Sequence, residues 1–341
     1  MSETATPPTA TPSTTNTRLK GANASEAGID QPWEQDNQAW WDWYVSLAEN
    51  PEDIGELLDP GPLPEAELPS DAALFEELAT PYALAPEQVR FFQEQSYIKL
   101  KGVLSPGAVL RLRAELLRLL SEAFGSDLDG GVQDRFLSLE MVWLDNPIVR
   151  AFVLSPRIAK ISADLLGVPA VRLYHDNVLS KEPRCGRTPW HYDDHHFPLA
   201  THDVVTPWIP AQPIPLAMGP LAFAGPIDIY KLVESLEFDK HGTGYDAKVS
   251  QLFRERGVGV DESAFEVGEV SFHHNLNFHT AATNRTTRSR VVLANTFYAD
   301  GARVMERPTM VSGDWQKFMP GVAPGEVAAS ELNPVCWPPQ S

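Results

Sequence analysis

The chain has 341 residues, 43% of them hydrophobic and nine of them tryptophan, enough to bury a sizeable core and to exclude global disorder. Lys and Arg number 27 against 46 Asp and Glu, a net charge of −19 that repels phosphate backbones and anionic headgroups; neither nucleic acid nor a membrane surface is an expected partner. No run reaches the roughly 18 apolar residues of a membrane helix, the opening MSETATPPTATPSTTNT lacks the pattern of a secretory signal, and Cys185 and Cys336 alone offer neither a disulfide framework nor a zinc ribbon. A soluble, cytoplasmic protein is the expectation.

Residues 1–30 are rich in Ser, Thr, Pro and Ala and read as a disordered tail. Residues 31–83 continue an acidic stretch, since residues 1–80 hold 16 Asp and Glu against Arg18 and Lys20. Within it Trp33, Trp40, Trp41, Trp43 and Tyr44 form an aromatic knot, expected to pack on the main domain or to cap it. A globular pattern begins near residue 84. The spacing predicts a short helix over Pro86–Gln95 and a strand over Tyr97–Lys101. Ser105 then caps a helix with Pro106 in its first position, and Val109, Leu112, Leu116, Leu119 and Leu120 repeat at helical spacing through Phe124. Another helix is expected over 156–166, stopped by Gly167-Val-Pro169.

After Pro169 short strand-like runs take over: Val171–Leu179, Val204–Ile209, Glu269–His273 and Val291–Tyr298, separated by Pro, Gly, Asn and Asp. Helices first and strands afterwards indicate a mainly β domain with flanking α-helices, a sandwich or barrel spanning 84–312. Residues 313–341 read as an irregular C-terminal segment.

Six of the nine histidines fall in two groups, in Trp190-His-Tyr-Asp-Asp-His-His-Phe-Pro198 and at His273, His274 and His279. On a strand, alternate residues share a face, so His191 and Asp193 can present an imidazole and a carboxylate to one point. A third imidazole from a distant strand completes a two-His, one-carboxylate face that leaves about three octahedral positions open, the arrangement of oxygen-activating non-haem iron(II). His279 lies before a turn at Asn284, and Arg290 on the strand after it shares a face with Val292, Ala294 and Thr296. A guanidinium there suits a carboxylate ligand. Asp194 with His196, or His195, are competing registers for the first motif.

Four stretches together resemble the phytanoyl-CoA dioxygenase-like family of iron(II)/2-oxoglutarate-dependent oxygenases: Gln95 to Pro106, Lys181-Glu-Pro leading into Trp190 to Pro198, Met218-Gly-Pro-Leu-Ala-Phe223, and His279 to Arg290 with Asn284 and Thr286 between. The resemblance covers roughly residues 85–300. It implies a double-stranded β-helix (jelly roll, cupin-like), with His191, Asp193 and His279 as iron ligands and Arg290 on the distal carboxylate of 2-oxoglutarate. It also selects the His191/Asp193 register, and His279 over His273 and His274. By the same resemblance Trp208 lines the cosubstrate pocket and Asn177 bonds a cosubstrate carboxylate. His195 is left as a substrate contact or a neighbour of the ligands.

The implied reaction consumes O2 and 2-oxoglutarate, releases succinate and CO2, and hydroxylates or otherwise oxidises an unactivated C–H bond of a small molecule, probed in vitro with ascorbate as reductant. Asp193 occupies the position that halogenases of this chemistry leave small, which favours hydroxylation. The acidic chain points away from acyl-CoA and towards a natural-product scaffold. Ala224-Gly-Pro-Ile-Asp228 and Ala281 depart from the family pattern; in place of a cosubstrate-binding Ser at 281, Thr280 or Thr206 would have to serve. The rival readings are a metal-dependent cupin-like isomerase or hydrolase, and a non-catalytic metal-binding member of the fold.

Overall fold

A computed structural model describes residues 54–125, 135–233, 236, 244–308 and 315–339. The tail over 1–30 and the aromatic knot lie outside the described residues. Five helices precede or interrupt the first strands: α1 (Asp71–Ala79), α2 (Pro86–Gln95), α3 (Pro106–Phe124), α4 (Pro147–Val153) and α5 (Pro156–Leu166). Their boundaries follow local chemistry. Ser105 and Ser155 accept from the backbone N–H of Ala108 and Ile158, a proline opens each helix, and Gly167 ends α5 in the left-handed region. Val109, Leu112, Leu116 and Leu120 are fully buried along α3, while Leu119 and Phe124 are half-buried at its edge.

Eleven strands are described: β1 (Tyr97–Leu100), β2 (Phe136–Glu140), β3 (Val171–Lys181), β4 (Thr188–His191), β5 (Val204–Pro210), β6 (Leu221–Gly225), β7 (Gly259–Asp261), β8 (Val270–His274), β9 (Phe278–Ala281), β10 (Arg290–Ala299) and β11 (Val335–Trp337). A seven-stranded sheet runs β1-β8-β5-β10-β3-β11, with β2 also paired to β3, and a four-stranded sheet runs β4-β9-β6-β7. Every pairing is antiparallel. The two sheets face each other as the double-stranded β-helix expected from the sequence, without closing into a barrel.

The sheets are joined by side chains from both. Tyr97 stacks on Phe223 at 4.8 Å, and Trp208, Val292 and Ala294 of the large sheet share a cluster with Leu221 and Ala281 of the small one. The helices cover the other face of the large sheet: Ile158, Ile161 and Leu165 of α5 join Leu173, Val291 and Leu293. Each such side chain contributes about 1.5–3 kcal/mol on burial. The interior between the sheets is thus fenced on one side by a rigid, helix-backed sheet.

Both flanks of the β domain are engaged. Leu58 forms a parallel bridge with Thr286, Arg184 and Arg288 donate to the carbonyls of Gly55 and Gly61, and Leu74 and Leu78 of α1 enter the helical core. At the other end β11 pairs with β3, and Trp315, Phe318 and Met319 pack against Tyr174 and Tyr298. Among the described residues no helix is long and apolar enough to cross a membrane.

Candidate metal centre

β4 and β9 lie side by side with His191 opposite His279, so strand pairing alone brings the two imidazoles to ring centroids 4.1 Å apart. Asp193 joins them by a different device from the strand alternation expected. β4 ends at His191, and Asp193 takes an αR conformation that leads into a 3-10 turn over Asp194–His196. The backbone N–H groups of Asp193 and Asp194 both donate to the carbonyl of Asn275, at 2.8 and 3.1 Å, which ties this turn to the loop between β8 and β9. The carboxylate swings back under the imidazoles. Nε2 of His191 and Nε2 of His279 stand 3.6 and 3.8 Å from the same oxygen, Oδ1 of Asp193. One donor atom from each residue lies within 4.8 Å of the other two.

The protonation pattern can be read from the partners. Nδ1 of His191 faces the carbonyl of Pro189 at 2.8 Å and Nδ1 of His279 faces that of Asn277 at 3.1 Å. A carbonyl only accepts, so both Nδ1 atoms carry the proton and both Nε2 atoms turn a lone pair inward while the rings are neutral. Burial lowers the affinity of both rings for a second proton, well below the ordinary value for His279. Burial alone would raise the Asp193 carboxyl. Positive charge on His279, a hydrogen bond from His273 and positive charge on His191, where those rings carry it, outweigh burial and hold the group far below the usual range. Two lone pairs and a carboxylate oxygen facing one point repel one another until a cation sits among them. The donor set of two nitrogens and one oxygen, held by backbone carbonyls at the outer nitrogens, fits a divalent transition metal.

Arg290 opens β10 on the large sheet, opposite Lys181 of β3. It is buried, donates to the carbonyl of Gly219 and lies with its guanidinium carbon 5.3 Å from the Trp208 ring. The buried Trp208 indole lies beside the guanidinium and shields its charge from water. Asn177 is on the same face of β3 as Lys181, paired with Ala294, and accepts from Ser138 at 2.8 Å. Of the two hydroxyls that could stand in at Ala281, that of Thr280 donates to the carbonyl of Thr188, whereas Thr206 meets Thr296 at 3.2 Å on the inner face of the large sheet. His195 is not among the clustered donors, and its Nε2 is hydrogen-bonded to the Tyr192 hydroxyl at 2.5 Å. Asp194 of the competing register accepts from His202 and Asn275, and the donor atoms that cluster are those of His191, Asp193 and His279.

The turn before Arg290 is built by Asn284. Its amide donates to the carbonyls of Lys181, Glu182 and Arg288, and its oxygen accepts from the N–H and hydroxyl of Thr286. Lys181 carries no role in the sequence reading. It is fully buried, donating to the carbonyls of Gly186, Ala281 and Ala282, and burial followed by the nearby Arg290 charge lowers its pKa well below the ordinary value. Its inward alternation with Asn177 and Leu179 was the available signal.

The phytanoyl-CoA dioxygenase family model matches residues 92–224, which take in His191 and Asp193 and stop short of His279 and Arg290. Over that span the chain is similar to the phytanoyl-CoA dioxygenase family, in line with the resemblance that the sequence stretches carry. No curated protein matches it in sequence. Among solved structures it is similar to the non-heme α-ketoglutarate-dependent carbocyclase SnoK from nogalamycin biosynthesis, at 24% identity over 75% of this chain and 99% of that one, with a TM-score of 0.60. It is also similar to the epimerase SnoN in complex with Fe3+, α-ketoglutarate and nogalamycin RO (21% identity, 78% and 100% covered, TM-score 0.56). A third is EctD from S. alaskensis with 2-oxoglutarate and 5-hydroxyectoine (15% identity, 75% and 90% covered, TM-score 0.53). These similarities establish the fold, and a fold shared by a carbocyclase and an epimerase does not by itself fix a reaction.

Proposed function

We propose that the chain is a cytoplasmic iron(II)/2-oxoglutarate-dependent dioxygenase that hydroxylates a small molecule of natural-product type. The observation that carries this reading is the pair of inward-facing Nε2 lone pairs on one oxygen of Asp193. In it His191, Asp193 and His279 would hold the iron, and Arg290 the distal carboxylate of 2-oxoglutarate. Iron bound with the keto-acid supplies the oxidising power for an unactivated C–H bond, at the expense of O2 and of decarboxylation to succinate and CO2. The iron and keto-acid bound in the SnoN structure support the cofactor assignment.

The chain's own residues bind and orient. Arg290 stays charged in its buried site because a guanidinium does not give up its proton at accessible pH, and it offers a planar fork to a carboxylate. Trp208 on one face and the carbonyl of Gly219 at one end fix the plane of that fork. Lys181 holds three carbonyls of neighbouring segments in register at the same end of the interior. Trp208 and Thr206 are buried on the inner face of the large sheet at this end. Asp193 fills a ligand position with a carboxylate, which leaves no room there for a halide and favours hydroxylation.

The test is succinate formation by purified protein supplied with iron(II), ascorbate and 2-oxoglutarate, together with 2-oxoglutarate affinity measured anaerobically. Loss of two charge-assisted hydrogen bonds in Arg290→Ala is expected to weaken 2-oxoglutarate binding about a hundredfold or more while iron is retained. Unchanged cosubstrate affinity in that variant would refute the assignment of Arg290.

A further inference from the structure

A third imidazole stands against Asp193, and it differs from the other two in each respect that matters. His273 lies on β8, paired with Tyr97 on one side and Thr206 on the other, so the helix-backed sheet holds its backbone. It is 3% exposed, and its ring lies 4.5 Å from that of His279 and 5.9 Å from Phe223. Its Nε2 is 3.4 Å from Oδ2 of Asp193, whereas His191 and His279 both address Oδ1. The carboxylate is thereby divided, one oxygen towards the two inward lone pairs and the other towards His273.

The tautomers divide in the same way. The outer nitrogens of His191 and His279 are committed to backbone carbonyls, which leaves Nε2 of each as an acceptor. Nδ1 of His273 is buried and has no hydrogen-bond partner among the described residues. Nothing on that side calls for a proton, and the anionic oxygen on the other side does. The proton belongs on Nε2, which makes His273 a donor to Asp193 rather than a ligand. The adjacent His274 shows the contrast: its Nδ1 accepts from the N–H of Leu276, and it serves the turn after β8.

We infer that His273 is a positioning residue for the metal centre: its Nε2–H holds Oδ2 of Asp193, so that Oδ1 alone faces the metal and the carboxylate binds through one oxygen. The inference rests on the metal-centre reading above. A carboxylate free to turn would bring both oxygens to the metal and occupy a position that a bidentate keto-acid and O2 need open. Donors that hold the outer atoms of ligands typically contribute 10–100-fold in metal affinity.

Cobalt(II), whose visible absorption reports coordination, is the probe, titrated into the full chain and into His273→Phe and His273→Gln. Phenylalanine keeps the ring volume and removes the donor; glutamine restores a donor. The expected result is Co(II) affinity lowered about tenfold or more in His273→Phe, with an altered visible spectrum and an unchanged melting temperature of the metal-free protein, and recovery of most of both in His273→Gln. Independently of any variant, ring-15N spectra of the Zn(II)-loaded wild-type chain are expected to place the His273 proton on Nε2 and those of His191 and His279 on Nδ1. A folded His273→Phe with wild-type Co(II) affinity and spectrum, or a His273 proton found on Nδ1, would overturn the inference alone. A wild-type chain that takes up no Co(II) would overturn the metal-centre reading and this inference with it.

Discussion

Asp176 is fully buried on β3, on the face turned away from the metal, and replacing it with Asn should stabilise the protein in a way that depends on pH. One of its oxygens accepts from the N–H of Val142 at 3.0 Å; the other has no partner among the described residues, nor has either amide atom of Asn295, its neighbour across the strands. Burial pushes the carboxyl up from 3.8 to about 7, against backbone hydrogen bonds that pull the other way. A raised carboxyl pKa means that the folded state prefers the protonated form. The stability is therefore fully present below pH 3.8 and is lost as pH rises towards 7, beyond which the loss is complete. About three pH units at about 1.4 kcal/mol each give a cost near 4 kcal/mol, of which about 2–3 kcal/mol develops between pH 5 and pH 8. Asparagine has the same shape, keeps the acceptor for Val142 and does not titrate. Urea unfolding of both proteins, with EDTA present so that metal binding adds nothing, should show Asp176→Asn gaining on wild type from pH 5 to about pH 7 and levelling off towards pH 8. A stability difference that stays constant over that range would refute the reasoning.

Two further changes probe the scaffold beside Arg290. Asn284→Ala removes a side chain that serves three carbonyls and two donors in a buried turn, and about 2–4 kcal/mol of stability should go with it, read as a lower urea midpoint. Gly219→Ala places a Cβ against the carbonyl oxygen of Ala282 at a residue whose φ is +71°, and so displaces the carbonyl that receives the Arg290 guanidinium. A loss of at least about 2 kcal/mol is expected, accompanied by weaker 2-oxoglutarate binding; a variant as stable as wild type would show that the close approach does not matter.

Where local chemistry determined structure, the sequence was legible. The Ser-Pro starts of α3 and α5 and the glycine stop at Gly167 appear at the expected residues because capping is a matter of a few neighbouring atoms. Strands β3, β5, β8 and β10 came out within a residue or two of the expected spans, since their apolar runs end in turn residues. α4 was missed because seven residues are too few to show a period, and the helix Gly244–Arg256 because only Asp246, Val249 and Phe253 face inward along an otherwise polar segment.

The site divides along the same line. Spacing and family pattern singled out His191, Asp193, His279 and Arg290 as candidates, yet the reason Asp193 stands beside the two imidazoles lay in a turn held by Asn275, a contact 82 residues away in sequence that no local pattern announces. His273 and Lys181 were passed over for a related reason. What each does depends on which atoms face it across the interior, and that is decided by the pairing of β8 with β1 and β5 and of β3 with β10.

Iron binding by the wild-type chain and by His279→Ala tests the central claim most directly. Anaerobic titration should give one ferrous ion per wild-type chain and a visible absorption band when 2-oxoglutarate is added, with both lost in a folded His279→Ala protein. Stoichiometric iron and an unchanged band in that variant would contradict the account.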